Sequence, residues 1–225
     1  MMVRDRYPVT MISKLRTFAS AIPILSGLLF ALPVSATTVP FLSQSPFGEW
    51  RDLRQEQGCE EAASLMAVAW AQNKTIAPLK GRNQIIAISN WEKTNWGYYQ
   101  DTSIADTADR IIRQYLGYNK IEVRNIVSTY DIQDALRFGN ILLVAINGRK
   151  IASPYYRHPA PLHHMILLIG YDEKNDAFIA NDPGTWHGAG ERISREHLQN
   201  ALQDYPSGDG TARTALPPAM IVIGK

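Results

Sequence analysis

The chain has 225 residues, 23 of them Lys or Arg and 21 Asp or Glu, for a formal net charge of +2, and it contains one cysteine. That near balance, with no Lys/Arg cluster and no glycine-rich phosphate loop, lacks the electrostatic footprint a nucleic-acid partner needs. A single cysteine also excludes a framework of intramolecular disulfides.

At the N-terminus, Lys14 and Arg16 precede the apolar run "FASAIPILSGLLFALPVSA", Phe18 to Ala36, which closes on the small-residue pattern Val34-Ser35-Ala36. This is the layout of a secretory signal peptide over residues 1–36, with cleavage expected after Ala36 and a secreted or periplasmic product. The alternative is an uncleaved leader kept as a membrane anchor, since the run approaches the roughly 20 residues that span a bilayer. Pro23, Gly27 and Pro33 speak against it. No later stretch is a candidate span, so the remainder is expected to be soluble. Arg4, Arg6, Lys14, Arg16 and Asp5 would leave with the leader, so 189 of the 225 residues remain at a net charge of −1. That length suits one domain, residues 37–225, with a sizeable core. No internal repeat or low-complexity linker divides it.

Cys59 sits in "EQGCEEAASLMAVAW". Ala62, Ala63, Met66, Ala67 and Trp70 recur at intervals of three and four behind it, which predicts an amphipathic helix entered through Gly58. A cysteine in a first helical turn lies beside unpaired backbone N–H groups and the positive end of the helix dipole, and both favour thiolate. Glu60 and Glu61 suit a helix N-terminus, yet their charge opposes ionisation of a neighbouring thiol. Their direction relative to sulfur decides the balance. Cys59 is therefore either a buried small hydrophobe or a nucleophile.

Further along, residues 82–92 and 103–116 read as helices, "KIEVRNI" as a strand, residues 132–138 as a short helix and "ILLVAI" as a buried strand. The aromatics of "NWEKTNWGYYQD", residues 90–101, form either a specificity loop or a packing apron between helices. Residues 153–161 and "TWHGAGER", residues 185–192, could border a cleft, where Tyr155, Tyr156, Trp186 and His187 would contact substrate or serve ordinary loop packing. Residues 196–202 fit a late helix and "AMIVIG" a final strand.

A general base for the thiol would come from "LHHMILLIGYDEKNDAFIANDPG". His164 opens an apolar strand, Met165 to Ile169, closed by Gly170. After a turn at residues 173–175, a second strand from Ala177 to Ala180 runs back and returns Asn181 or Asp182 close to His164. That pairing suits an imidazole oriented by an acid, although Asp182-Pro183-Gly184 is equally plain turn chemistry. His163 and His164 point to opposite faces of a strand, so only one can face the thiol. His158, His163, His164 and His187, with Asp182, match no compact zinc signature, and neither metal nor cofactor is expected.

Three segments in this order, "VPFLSQSPFGEW", "GCEEAASLMAVAW" and "HMILLIGYDEKNDAFIANDPG", resemble the C39-like branch of the papain-like cysteine peptidases, in the version found among exported bacterial proteins. The resemblance implies an α+β papain-like fold in which an N-terminal helical lobe, carrying the active-site helix, packs on an antiparallel sheet lobe. It implies a catalytic triad of Cys59, His164 and Asp182, and the six-residue step from His164 to Gly170 selects His164 over His163. It also implies an oxyanion-hole glutamine upstream of the cysteine. Gln44 is the candidate, with Gln55 and Gln57 open because Gln44 is further from Cys59 than in the bacteriocin-leader peptidases. The segment "CEEA" departs from the glycine and small residue or proline that follow the cysteine in many relatives, and so bears on thiol acidity and oxyanion geometry. The implied function is a cysteine peptidase or amide hydrolase acting on a peptide or protein. The alternatives are a silent module that binds peptide or cell-wall fragments, and a thioester-forming acyltransferase. No transporter segments accompany the domain, so the exporter role of some relatives does not carry over.

Overall fold

A computed structural model describes residues 38–208 and 214–225. The leader expected over residues 1–36 lies outside the described residues. The helical half begins with α1 (Leu53–Glu56), a single turn that the sequence reading missed, capped by Asp52 through Arg54 N. Next comes α2 (Cys59–Ala71), whose N-cap Gly58 makes no side-chain cap. Only glycine fits there, because a Cβ would lie 2.7 Å from the Arg54 carbonyl and 2.8 Å from Ile85 Cγ2.

The helix expected over residues 82–92 is longer at both ends, α3 (Pro78–Trp96). Proline at the first helical position loses no N–H that a helix would use. At the far end Gly97, at φ 84°, takes up the left-handed conformation and donates to the Lys93 carbonyl. α4 (Ile104–Asp106) opens the helix expected from residue 103, but the chain then widens into a π-helix, Thr107–Tyr115. Leu116 N donates to Ile111 O across that wider turn.

The second half alternates strands with short helices: β1 (Ile121–Asn125), α5 (Thr129–Arg137), β2 (Ile141–Ile146), β3 (His164–Asp172), β4 (Ala177–Asn181), β5 (Ala189–Ser194), α6 (Arg195–Ala201) and β6 (Ala219–Ile223). α5 starts earlier than expected because Ser128 and Asp131 form a reciprocal capping box. β5 was not expected. Its partly exposed sequence "AGERIS" shows no apolar run, and it is held as an edge strand by pairing with β4. β3 also runs on through Gly170 to Asp172, with a register irregularity between Leu168 and Gly170.

All six strands pair antiparallel in the order β1-β6-β2-β3-β4-β5. The central strands are apolar and buried throughout because both faces are covered. Met165, Leu167 and Ile169 face one cluster with Ala62, Ala63, Met66 and Ala67 of α2. Ile166 and Leu168 face the other, with Ile132 and Leu136 of α5 and Leu198 of α6. Each large apolar side chain so buried contributes roughly 1.5–3 kcal/mol. Fixing α2 against β3 in this way places the start of the helix beside the start of the strand. Among the described residues, no helix is long and apolar enough to cross a membrane.

Candidate active site

The first turn of α2 and the first residue of β3 line one cavity of about 730 Å³. Cys59, His163, His164, Gln44, Gln57 and Asp101 all reach it, as do Tyr155, Tyr156, Trp186 and His187. Such a volume lies in the ordinary range for a ligand site.

The β3–β4 hairpin positions the imidazole. Asn181 pairs with Leu167, so the chain leaving β4 passes alongside the beginning of β3. His164 Nε2 lies 2.7 Å from Asp182 Oδ1, with both side chains almost completely buried. The same Oδ1 accepts from Gly184 N at 2.8 Å, and Oδ2 accepts from the Tyr156 hydroxyl. A Cβ on Gly184 would lie 2.8 Å from His164 Cε1. Glycine is what lets this turn close over the ring. Burial alone would lower the His164 pKa, but the Asp182 charge and hydrogen bond outweigh it and hold it above the ordinary value. Burial would likewise raise the Asp182 carboxyl, yet His164, Tyr156 and Gly184 hold it below the usual carboxylate range. The pair therefore favours imidazolium against carboxylate, and with Nε2 taken by Asp182, Nδ1 is the ring nitrogen left for other chemistry.

The sulfur stands in a different setting. Cys59 Sγ donates to Glu60 Oε2 at 2.9 Å. Glu60 Oε1 accepts from Thr102 N at 3.1 Å and from the Tyr205 hydroxyl at 2.9 Å. Burial, followed by the charge and hydrogen bond of Glu60, pushes the Cys59 thiol well up, while the Met165 N–H works the other way. The direction of Glu60, undetermined by sequence, is thus toward sulfur. Glu61 turns away and accepts from Ser89 Oγ at 2.6 Å.

Of the glutamine candidates, Gln44 lines the cavity, with Nε2 donating to the Glu56 carbonyl at 2.7 Å and Oε1 buried without a hydrogen-bond partner. One of its two N–H donors remains beyond that bond. Gln57 also reaches the cavity, whereas Gln55 is fully buried, donates to Glu49 Oε2 and does not line it. His163 also lines the cavity but has other partners than His164, with Nδ1 3.2 Å from Asp101 Oδ2 and its ring stacked on Tyr205 at 4.6 Å. Asn181 accepts from Gly190 N and so serves the turn into β5. Among the described residues, no group of three or more His, Cys, Asp and Glu is arranged to hold a metal ion.

Tyr156, read from sequence as a substrate contact or loop packing, is instead tied to Asp182 and packs edge-on against His164 at 5.7 Å. No local pattern in residues 153–161 could have shown this. Tyr155 and His187 stack on each other at 4.6 Å on the cavity rim, beside an exposed Trp186. The aromatics of residues 90–101 are largely a packing apron: Trp91 meets Trp96 and Tyr115 edge-on, and Arg110 lies over Trp96 and Tyr98.

A helix-borne cysteine and a strand-borne histidine paired with an acid, meeting in one cavity of an α+β fold, define the papain-like architecture. The model of the Peptidase_C39 like family matches residues 36–208, and the chain belongs to that family. Among solved structures, it is similar to a crystal structure from Bacillus anthracis described as a candidate C39-like peptidase. The TM-score is 0.52 at 14% identity, covering 84% of this chain and 96% of that one. No curated protein matches the sequence.

Proposed function

We propose that the protein is an exported thiol hydrolase that cleaves a peptide or related amide bond. The observation that carries this reading is the buried His164–Asp182 pair at 2.7 Å, opening onto the same cavity as Cys59. In its neutral form His164 accepts the thiol proton, becoming the imidazolium that Asp182 stabilises, and Cys59 attacks the carbonyl carbon. The Cys59 backbone N–H and the remaining Gln44 donor face the developing oxyanion. The imidazolium then protonates the leaving amine, water attacks the thioester, and Asp182 holds the ring orientation throughout. The family membership and the fold support peptidase chemistry; the residue roles are proposed on the family resemblance together with the local geometry.

Hydrolysis of an unstructured protein such as casein, and of a mixed fluorogenic peptide library, tests the reading with the purified protein and its Cys59→Ala variant. Loss of turnover in the variant with retained melting temperature is the expected result. Full activity in the variant would end the proposal. A second reading, a module that only binds peptide, draws support from the neutral thiol held by Glu60; it expects no turnover and equal peptide affinity in both proteins. Export is tested separately by N-terminal sequencing, with Thr37 expected as the first residue.

A further inference from the structure

We propose that Glu60 is a catalytic residue of this site: its carboxyl group donates to the Cys59 thiolate when protonated, and as a carboxylate it keeps the proton on sulfur. This rests on the reading of Cys59 as the nucleophile. Glu60 Oε2 touches the reacting atom at 2.9 Å, and the other oxygen is anchored by Tyr205 and Thr102 N, so the contact is built rather than incidental. Glu60 is only 2% exposed, and among the described residues no Lys or Arg forms an ion pair with it.

Burial and the neighbouring acids favour a neutral Glu60, against the hydrogen bonds from Cys59 and Tyr205. On its own helix stand Cys59 and Glu61. From α3 comes Glu92, itself faced by Arg110 and Asp106 from the α4 and π-helical segment. Asp101 faces it from the preceding loop, with His163 beyond it. Tyr205 comes from the segment after α6, next to Asp204, and His164 from β3. Burial first, then the Asp101 charge, push the Glu60 carboxyl up to about 7.

The proton movements follow. With Glu60 neutral, the thiol proton passes to His164, leaving thiolate and imidazolium, and the carboxyl O–H turns its hydrogen to sulfur as a charge-assisted bond. With Glu60 ionised, the same transfer would leave two anions in contact, so the proton stays on sulfur. Thiolate reactivity therefore falls as pH rises through about 7, opposite to the rise an isolated thiol shows toward its own pKa.

Iodoacetamide labelling across pH tests this on the full chain, with Glu60→Gln and Tyr205→Phe. The glutamine keeps the Oε1 acceptor for Tyr205 and Thr102 N and turns a permanent donor toward sulfur. In the parent, the rate should decline by up to about tenfold per pH unit beyond the turning point, as the protonated fraction of one group does. Glu60→Gln should abolish the decline and label at least about tenfold faster one unit above that point. Tyr205→Phe removes a donor to the carboxylate and should move the decline to higher pH. Circular dichroism establishes that both variants fold; if Glu60→Gln does not, the Tyr205→Phe shift decides. A parent rate that only rises with pH, a decline unchanged by Glu60→Gln, or an unmoved decline in Tyr205→Phe would overturn the proposal. Labelling that behaves as expected while no peptide is hydrolysed would instead overturn the proposed function and leave the Cys59–Glu60 coupling standing.

Discussion

The two walls of the cavity are built on opposite electrostatic terms. On the β3 side the carboxylate of the histidine pair is fully answered: Asp182 receives His164, Gly184 N and Tyr156. On the α2 side Glu60, Glu61 and Glu92 are buried together, and Glu61 Oε2 and both Glu92 carboxyl oxygens have no hydrogen-bond partner. A satisfied wall fixes one protonation state and one geometry. An unsatisfied wall keeps its protons loosely enough that solution pH can move them. The difference teaches that orientation and acidity are controlled by separate parts of this site.

Breaking the satisfied wall should have the largest effect. Asp182→Ala removes the acceptor that orients the ring and should cost about 10³-fold or more in kcat, measured on whichever peptide the parent turns over. A loss below tenfold would show that Tyr156 and packing hold His164 without it.

The unsatisfied wall should show itself next, in stability. The Glu60 carboxyl is raised to about 7 and the Glu92 carboxyl, chiefly by burial and then by the charge of Glu60, to about 8, against 4.5 for each in an unfolded chain. Between those values the native state binds more protons than the unfolded one, so stability is fully present below 4.5 and is lost as pH rises through the folded values. Urea unfolding should register a loss on the order of a few kcal/mol across that window, since each unit is worth about 1.4 kcal/mol per group. Glu92→Gln should flatten the slope; a parent stability that climbs with pH would contradict the buried-acid account.

A smaller change would sharpen the comparison. Tyr156→Phe deletes one hydrogen bond to a carboxylate and should lower kcat by roughly tenfold, leave KM alone and shift the acid limb of activity upward. If KM rises instead, Tyr156 contacts substrate after all. Smallest of all, Arg137→Ala removes an ion pair to Glu173 whose side chains are 50% and 57% exposed. Thermal melting should not detect it, because exposed pairs contribute so little.

The satisfied wall was largely legible in the sequence. A run of buried apolar residues behind His164 and a short return strand leave little freedom in where Asp182 emerges, and helical periodicity places Cys59 at the start of α2. The other wall was not. Whether Glu60 bends toward sulfur depends on Tyr205 and Thr102, which lie 145 and 42 residues away, and the approach of Glu92 depends on how α3 crosses α2. Side-chain direction set by such distant partners leaves no periodic trace. β5 stayed hidden for a related reason, since its edge position buries too little to impose an apolar pattern.

The segment that enters the domain is woven into the site. Gln44 N donates to Pro183 O at 2.9 Å, Trp186 Nε1 donates to Ser45 O at 2.9 Å, and Leu42 is 3% exposed against α2 and α3. The loop that supplies Asp182 and the segment around Leu42 to Ser45 are thus laced to each other like a drawstring. A proteolytic nick or trimming that advances past Val39 would loosen Asp182 directly, without touching a helix or a strand, so resistance to such trimming and the His164–Asp182 geometry rest on the same few residues.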